Sequence, residues 1–441
     1  MQIRTLKHWP SLLGIPILAL FCLAILTTPA HAKTPAGFTP LFNGEDLTGW
    51  KGLVGNPKTR AAMSAEDLAT AQHKADEIMR AHWKAVDGEL VFDGRGKSLC
   101  TAKDYGDIEL YVDWKILEGG DSGLYLRGCP QVQIWDTEFD AYFRHGAENG
   151  SGSMWNNKNN ARFPLVKADK PVGQWNTFFI RMVGERVTIK LNDQLIVDNV
   201  VLENYWEREL PIYPRGQIEL QNHGNTLYFR NLYVRELPSD EVNRILAAKD
   251  AQEYKNVFNG KDLSGWTGEL ENYEVVDGAV RCKEGKGGTV FTEKQYSDFI
   301  ARLEFKLPPG GNNGLAIRYP GAGAPHLDGL ELQVLDSEDP KYAKLDARQY
   351  HGSVYGLVAA HRGHLRPTGE WNFQQVTVRG SKIKVELNGS TILDADLSEV
   401  TESKDGAVPP GAKVKSGHFG FAGTARRTGR ATLTRHCRQP N

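Results

Sequence analysis

The chain repeats itself, and the repetition limits its architecture before anything else does. Phe42-Asn43-Gly44-Glu45-Asp46-Leu47-Thr48-Gly49-Trp50 returns as Phe258-Asn259-Gly260-Lys261-Asp262-Leu263-Ser264-Gly265-Trp266, an offset of 216. Asp87-Gly88 returns as Asp277-Gly278 at an offset of 190. Ser122-Gly123-Leu124-Tyr125-Leu126-Arg127 returns as Asn313-Gly314-Leu315-Ala316-Ile317-Arg318 at 191, and Gln133-Ile134-Trp135-Asp136 as Gln333-Val334-Leu335-Asp336 at 200. Trp175-Asn176 and Leu191-Asn192 return as Trp371-Asn372 and Leu387-Asn388, both at 196. The matches keep their order while the offset drifts, which marks a duplication with altered loops. Each copy is near 200 residues, a full domain rather than a solenoid unit that borrows its core from neighbours.

These spacings divide the 441 residues into a leader (1–32), a first copy (34–237), a linker (238–253) and a second copy (254–441). The leader has a basic start at Arg4, Lys7 and His8, an apolar run from Leu12 to Leu26, and the small-residue site Ala30-His31-Ala32. That is the pattern of a cleaved signal peptide, so an exported protein, periplasmic or extracellular, is expected. No later stretch is apolar enough to span a bilayer, so no stable membrane insertion is expected once the signal is removed. Lys+Arg of 53 against Asp+Glu of 54 gives a net charge of −1, which opposes nucleic-acid binding through bulk positive charge. Cys100, Cys129, Cys282 and Cys437 form no C-x-x-C pair, so neither a zinc site nor a disulfide framework is indicated.

Periodicity sets the fold class. Ile108, Leu110, Val112, Trp114 and Ile116 alternate with polar residues, as do Phe299, Ala301, Leu303, Phe305 and Leu307, and a period of two means strands with one buried face. Gly380-Ser381 and Asn388-Gly389 read as hairpin turns. Each copy is therefore expected to be an antiparallel, all-β sandwich or jelly roll. Between the first two repeat matches the offset falls from 216 to 190, so the first copy carries an insertion of about 26 residues. Within it Ser64, Glu66 and Asp67 precede Leu68, Ala71, Ala75, Ile78 and His82, which predicts one capped amphipathic helix at about 64–82. Pro238 and Ser239-Asp240-Glu241 predict a short linker helix. Trp50, Trp175, Trp266 and Trp371 are assigned to core packing.

The opposite strand faces carry the candidate chemistry. Gln131, Gln133 and Trp135 share a face in the first copy, and Glu331, Gln333 and Leu335 share the equivalent face in the second, with Asp136 and Asp336 at the strand ends. Ser153 and Trp155 match Ser353 and Tyr355, with His351 on the same face as the latter pair. Gln217, Glu219, Gln221 and His223 form a polar stripe on alternating positions. Such a stripe is either a solvated outer face or a binding face, since each polar group needs a partner. Interleaved aromatics favour binding, because stacking and amide or carboxylate hydrogen bonds are what a sugar ring requires.

The ordered set of motifs resembles the bacterial 3-keto-disaccharide hydrolase family in a tandem, two-copy form. Its carriers are Phe42-Asn43-Gly44 with Trp50, Trp83 with Asp87-Gly88, Ser122-Gly123 with Arg127, the stretch Gln131–Asp136, and Trp175-Asn176. In the second copy they are Phe258-Asn259-Gly260, Asn313-Gly314 with Arg318, Glu331–Asp336, His351-Gly352-Ser353-Val354-Tyr355-Gly356 and Trp371-Asn372. The resemblance implies two concanavalin A-like jelly-roll domains and cleavage of a sugar already oxidised at C3. A base removes the acidic C2 proton, the enolate expels the C1 substituent, and water adds back. On that chemistry Glu331 and His351 are expected as base or metal ligand, Arg318 as oxyanion partner, Asp336 beside them, and Gln333 and Tyr355 as substrate contacts. The first copy offers Arg127, Gln131, Gln133, Asp136, Trp155, Glu219, Gln221 and His223 for substrate binding. Glu331, Asp336 and His351 can also ligate a divalent metal, although no spacing demands one. A saccharide or glycoside is the expected partner, and a non-catalytic, lectin-like sugar binder is the rival reading.

Overall fold

The computed structural model describes residues 34–423, 432–434 and 437–438; the leader expected over 1–32 lies outside the described residues. Among the described residues each copy builds two antiparallel sheets, one of eight strands and one of five, packed as a β-sandwich around its own apolar cluster. In the first copy the eight-stranded sheet has Ile108–Ile116 at its centre, between Asn176–Val183 and Thr226–Glu236. Its alternating apolar residues Ile108, Leu110, Val112, Trp114 and Ile116 are all buried. Phe299–Lys306 holds the same place in the second copy, with Phe299, Ala301, Leu303 and Phe305 buried.

Hydrogen bonds repeat along with the sequence. Asn43 Oδ1 accepts from the N–H groups of Glu45 and Asp46, and Asn259 Oδ1 from those of Lys261 and Asp262. Asn192 Nδ2 donates to the Ala168 carbonyl and Asn388 Nδ2 to that of His364. The side chains of Asp107 and Asp298 each accept from the turn N–H of a hairpin, Gly184 and Gly380 respectively. These pairs fix the structural equivalence of the copies residue by residue.

The insertion holds two helices rather than one. Pro57–Ala61 precedes Ala65–His82, which is capped by Ser64 accepting from the Asp67 N–H. The longer helix lies on the edge strand Trp50–Gly52 of the five-stranded sheet: Gln72 donates to the Gly52 carbonyl and Asp76 accepts the Gly52 N–H. It thereby covers part of an otherwise open sheet edge. The linker helix is Ser239–Ala248, but its cap differs from expectation. Pro238 occupies the cap position without a side-chain hydrogen bond, and Ser239 Oγ donates instead to Glu370 of the second copy.

The two copies touch through hairpin turns. Glu185 N–H donates to the Gly389 carbonyl, Arg186 pairs with Glu386 at 2.8 Å, and Thr391 donates to Glu185. In the second copy the place of Thr226–Glu236 is taken by residues 432–434 and 437–438. Residues 432–434 still pair with both Ala279–Cys282 and Phe299–Lys306, so the inner position of that sheet is filled. Trp50 and Trp266 are core residues, whereas Trp175 and Trp371 are only half-buried. Lys115 and Arg230 lie over the Trp175 ring, and Lys306 lies over that of Trp371, so these two indoles serve as surface cation–π platforms rather than core. Cys100, Cys129 and Cys282 are buried free thiols. Among the described residues no helix is long and apolar enough to cross a membrane.

Candidate functional site

The outer face of the first copy's five-stranded sheet forms a cleft of about 460 Å³, within the range of small-ligand sites. Strand alternation builds its floor. On Asp121–Leu126, Ser122, Leu124 and Leu126 point into the sandwich and are buried, which sends Asp121, Gly123 and Tyr125 to the other face. On Cys129–Trp135 the same rule presents Gln131, Gln133 and Trp135. Gly123 makes room for them: a Cβ there would sit 3.1 Å from Gln221 Oε1 and 3.2 Å from Gln131 Cδ.

These side chains form a connected polar network. Gln133 Nε2 donates to Asp121 Oδ1 at 2.7 Å, and Gln131 Nε2 donates to Gln133 Oε1. Gln221 Nε2 donates to the Tyr125 hydroxyl at 3.3 Å. His223 Nδ1 lies 3.3 Å from Asp121 Oδ2. Burial pushes the Asp121 carboxyl above its ordinary range, and the charge of His223 acts against that rise. An imidazole whose Nδ1–H faces a carboxylate leaves Nε2 as its proton acceptor. Trp135 and Trp155 meet edge to face at 5.1 Å, His145 meets Trp155 at 5.7 Å, and Arg162 lies 3.6 Å above the Trp155 ring. Tyr205, Trp206, Tyr142, Arg144 and Asn156 complete the walls.

Glu219 belongs to the same strand face but is sealed from solvent, with 2% exposure. It pairs across the ladder with Tyr125 and Cys100. Burial pushes its carboxyl up to about 7, against the pull of Arg60, whose Nη2 reaches to 3.7 Å from the insertion.

The sequence placed the principal chemistry in the second copy, and the structure does not gather it there. His351 is buried in the core against Phe305, with ring centroids 4.9 Å apart; burial drives its imidazole down to about 3. Its neighbour in sequence, Gly352, carries the turn that brings it inward, donating to the Gln333 carbonyl. Asp336 accepts the Gly310 N–H, as Asp136 accepts those of Gly119 and Glu138, so both aspartates secure loops beyond their strands. Arg127 and Arg318 both have positive φ and are buried. Arg127 binds Asp107, and Arg318 donates to the Gly380 carbonyl, so each braces the hairpin described above. Glu331 does remain on the outer face, 3.5 Å from His326, whose ring meets Tyr355 at 5.3 Å. The Tyr355 hydroxyl accepts from Gln349 Nε2, and Gln333 donates to Asn312. Among the described residues no group of three or more His, Cys, Asp or Glu side chains is arranged to hold a metal ion; Glu331, Asp336 and His351 point into three different surroundings.

In the first copy the structure brings Gln131, Gln133, Trp155, Gln221 and His223 into one cleft. Arg127 and Asp136 stand outside it, and Glu219 lies beneath. Asp121, Tyr125, Tyr142, Arg144, His145, Asn156, Tyr205 and Trp206 also line it. Asp121 and Tyr125 carry a legible signal, since they alternate with Ser122 and Leu124 in and beside the repeated Ser122–Arg127 motif. Tyr205 and Trp206 sit in an irregular segment with no period to follow.

The model of the 3-keto-alpha-glucoside-1,2-lyase-like domain matches residues 37–235 and again 253–428. A 3-keto-disaccharide hydrolase of Bacteroides thetaiotaomicron is 25% identical over 191 residues, which is 37% of this chain and 66% of that relative. The match thus spans just under two thirds of the curated relative. Among solved structures, a Parabacteroides distasonis protein assigned as a glycosyl hydrolase is 24% identical, over 42% of this chain and 99% of that one, with a TM-score of 0.39. The carbohydrate-binding module CBM66 of Bacillus subtilis is 12% identical, over 40% of this chain and 96% of that one, with a TM-score of 0.27.

Proposed function

The chain belongs to the 3-keto-alpha-glucoside-1,2-lyase-like family in both of its halves, and from that premise we propose that it is an exported, carbohydrate-active enzyme cleaving 3-keto-glycosides in the cleft of its first copy. The relative named 3-keto-disaccharide hydrolase supports the substrate class. The observation that carries the reading is the Asp121–His223 pair at 3.3 Å, set among amides and indoles in one cleft.

The C3 ketone acidifies the C2 proton, which passes to His223 Nε2 while Asp121 holds the other ring nitrogen and balances the imidazolium. The C2–H electron pair moves toward the ketone, and the Arg144 guanidinium at the cleft wall offsets the charge on O3. The enolate returns that pair to form a C1–C2 double bond and the C1–O bond breaks with its electrons on the leaving oxygen, which takes the Tyr125 hydroxyl proton. Water then adds its hydroxyl to C1, the His223 imidazolium returns its proton to C2, and the remaining water proton restores the Tyr125 hydroxyl, for net hydrolysis. Trp135, Trp155 and Trp206 supply stacking surfaces, and Gln131, Gln133 and Gln221 supply hydrogen bonds to ring hydroxyls.

A sugar binder needs the amides and indoles but not the carboxylate–imidazole pair, which is why catalysis is preferred over a lectin-like role. The test is incubation of the purified protein with a 3-keto-disaccharide and with its unoxidised parent, with and without chelator. Turnover of the keto sugar alone is expected. Binding of both sugars with turnover of neither would favour the lectin-like reading.

A further inference from the structure

We infer that Arg60, carried by the helical insertion of the first copy, is a positioning residue for the cleft, acting through Glu219 on the Tyr125–Gln221 end of its floor. This rests on the reading of that cleft as the working site. Glu219 is buried, its Oε1 has no hydrogen-bond donor, and its ion-pair partner is Arg60. Pro57, the first residue of the same short helix, closes the space beside Gly128, where a Cβ would also meet Glu219 Oε1 at 3.3 Å. The groups facing Glu219 from the surrounding elements are therefore Arg60 from the insertion, Tyr125 and Cys100 from the neighbouring strands, and Cys129.

The second copy supplies the control. Glu219 pairs with Tyr125 and Cys100, and the equivalent Gly420 pairs with Ala316 and Phe291. Phe291, Ala316 and Tyr319 form a small apolar cluster there. The second copy lacks the insertion, the buried carboxylate and the tyrosine together, so the three behave as one unit that only the first copy carries.

A carboxylate under a phenol controls how readily that phenol gives up its proton. Burial and the Glu219 charge both hold the Tyr125 proton more tightly. Protonating Glu219 relieves the second of these effects. Because Arg60 favours the ionised carboxylate, it sets the pH at which Tyr125 changes strength as a donor.

The experiment compares wild type, Arg60→Gln, Arg60→Lys and Glu219→Gln between pH 5 and 9. Two readouts are taken: kcat on a 3-keto-disaccharide, and the Kd of its unoxidised parent by calorimetry. An inflection near pH 7 is expected in wild type. Arg60→Gln should move it upward by about one pH unit, Arg60→Lys should restore it, and Glu219→Gln should abolish it in the Kd profile, where proton abstraction by His223 takes no part. A purely structural role for the insertion would lower kcat or weaken Kd at every pH without moving the inflection. An inflection at the same pH in all four proteins, or none in wild type, overturns the inference. Absence of turnover with a shifting Kd profile would instead overturn only the catalytic reading of the cleft.

Discussion

The two copies share a sandwich, its turns and the braces beneath its hairpins, yet they treat the same sheet face in opposite ways. In the first copy Cys100, Tyr125 and Glu219 sit side by side, and the face beyond them opens into a polar cleft. In the second, Phe291, Ala316 and Gly420 take those places, Phe291 packs on Tyr319, and His326 lies over Glu331 and Tyr355. Duplication preserved what the fold needs and released what the site needs. Substituting the site in one copy at a time is the direct way to break that comparison. Asp121→Asn and His223→Ala are each expected to lower kcat on a 3-keto-disaccharide by about 10²–10⁴-fold, the range of a lost general base. Glu331→Gln in the second copy should leave kcat within about twofold. Equal losses from both copies, measured by steady-state kinetics, would restore the second copy as a working site.

The copies should also part company with pH. His351 replaces Ser151 at one equivalent position, and its folded-state imidazole is held down to about 3 against an ordinary 6.5. An unfolded chain takes up a proton below 6.5 that the folded core refuses, so the second copy loses stability as pH falls from about 6.5 toward 3. The full loss is about 5 kcal/mol. Glu219 works the other way in the first copy. Its carboxyl is raised to about 7 from 4.5, so the stability it contributes is present at pH 4.5 and lost as pH rises through 7. Calorimetry at pH 7 and pH 5 should therefore show the second copy's transition moving down in acid relative to the first. His351→Asn should remove most of that movement. A common shift of both transitions would mean that the imidazole is not the titrating group.

How much of this was legible in the residues depends on the range of the signal. Repeated turns such as Phe42-Asn43-Gly44 and Phe258-Asn259-Gly260 act through neighbours two or three positions away, so they announce two copies of one fold without any structure. Alternation from Ile108 to Ile116 names the buried face for the same reason. Alternation also identified Gln131, Gln133, Gln221 and His223 as a polar face, but it could not say which copy leaves that face open. That depends on Phe291 and His326, which lie 129 and 94 positions before Gly420 and have no periodic link to it. His351 misled because a histidine on a polar-looking face reads as chemistry; its inward turn is set by backbone bonds from Gly352 to Gln333. The site residues Tyr205 and Trp206 come from a segment with no period at all.

A smaller effect tests whether the copies lean on each other. Gly184 and Gly380 occupy equivalent hairpin turns, with φ of +56° and +54°. Around Gly380 a Cβ would meet open space, whereas at Gly184 it would run into the backbone of Gly389 in the other copy. Gly380→Ala should therefore cost only the left-handed strain of about 1–2 kcal/mol. Gly184→Ala adds displacement of the inter-copy contact and should cost about 2–4 kcal/mol. It should also widen the separation between the two copies' melting transitions. Equal costs at the two glycines, measured by denaturant unfolding, would mean that the hairpin contact contributes nothing to stability.

The smallest expected effect concerns the cleft's rim, where the first copy uses a carboxylate as a loop anchor. Glu203 accepts from the backbone N–H groups of Lys158, Asn159 and Asn160 at 2.7–2.9 Å and pairs with Arg208 at 3.0 Å. Arg208 in turn donates to the carbonyl of Asn156, a residue of the cleft wall. Burial acts against the Glu203 charge, yet the converging N–H groups hold its carboxyl below the ordinary range. The anchor is thus strongest above the ordinary carboxylate pKa and fails as pH falls through the lowered folded value. Glu203→Gln keeps the shape and removes the charge. It should raise KM about three- to tenfold while leaving kcat within about twofold, because the loop places substrate and takes no part in moving protons. In the second copy the Lys404 N–H ties the matching loop to the Gly356 carbonyl, a backbone bond that does not titrate. A fall in kcat without a change in KM would instead place Asn156 among the groups that act on the reacting sugar.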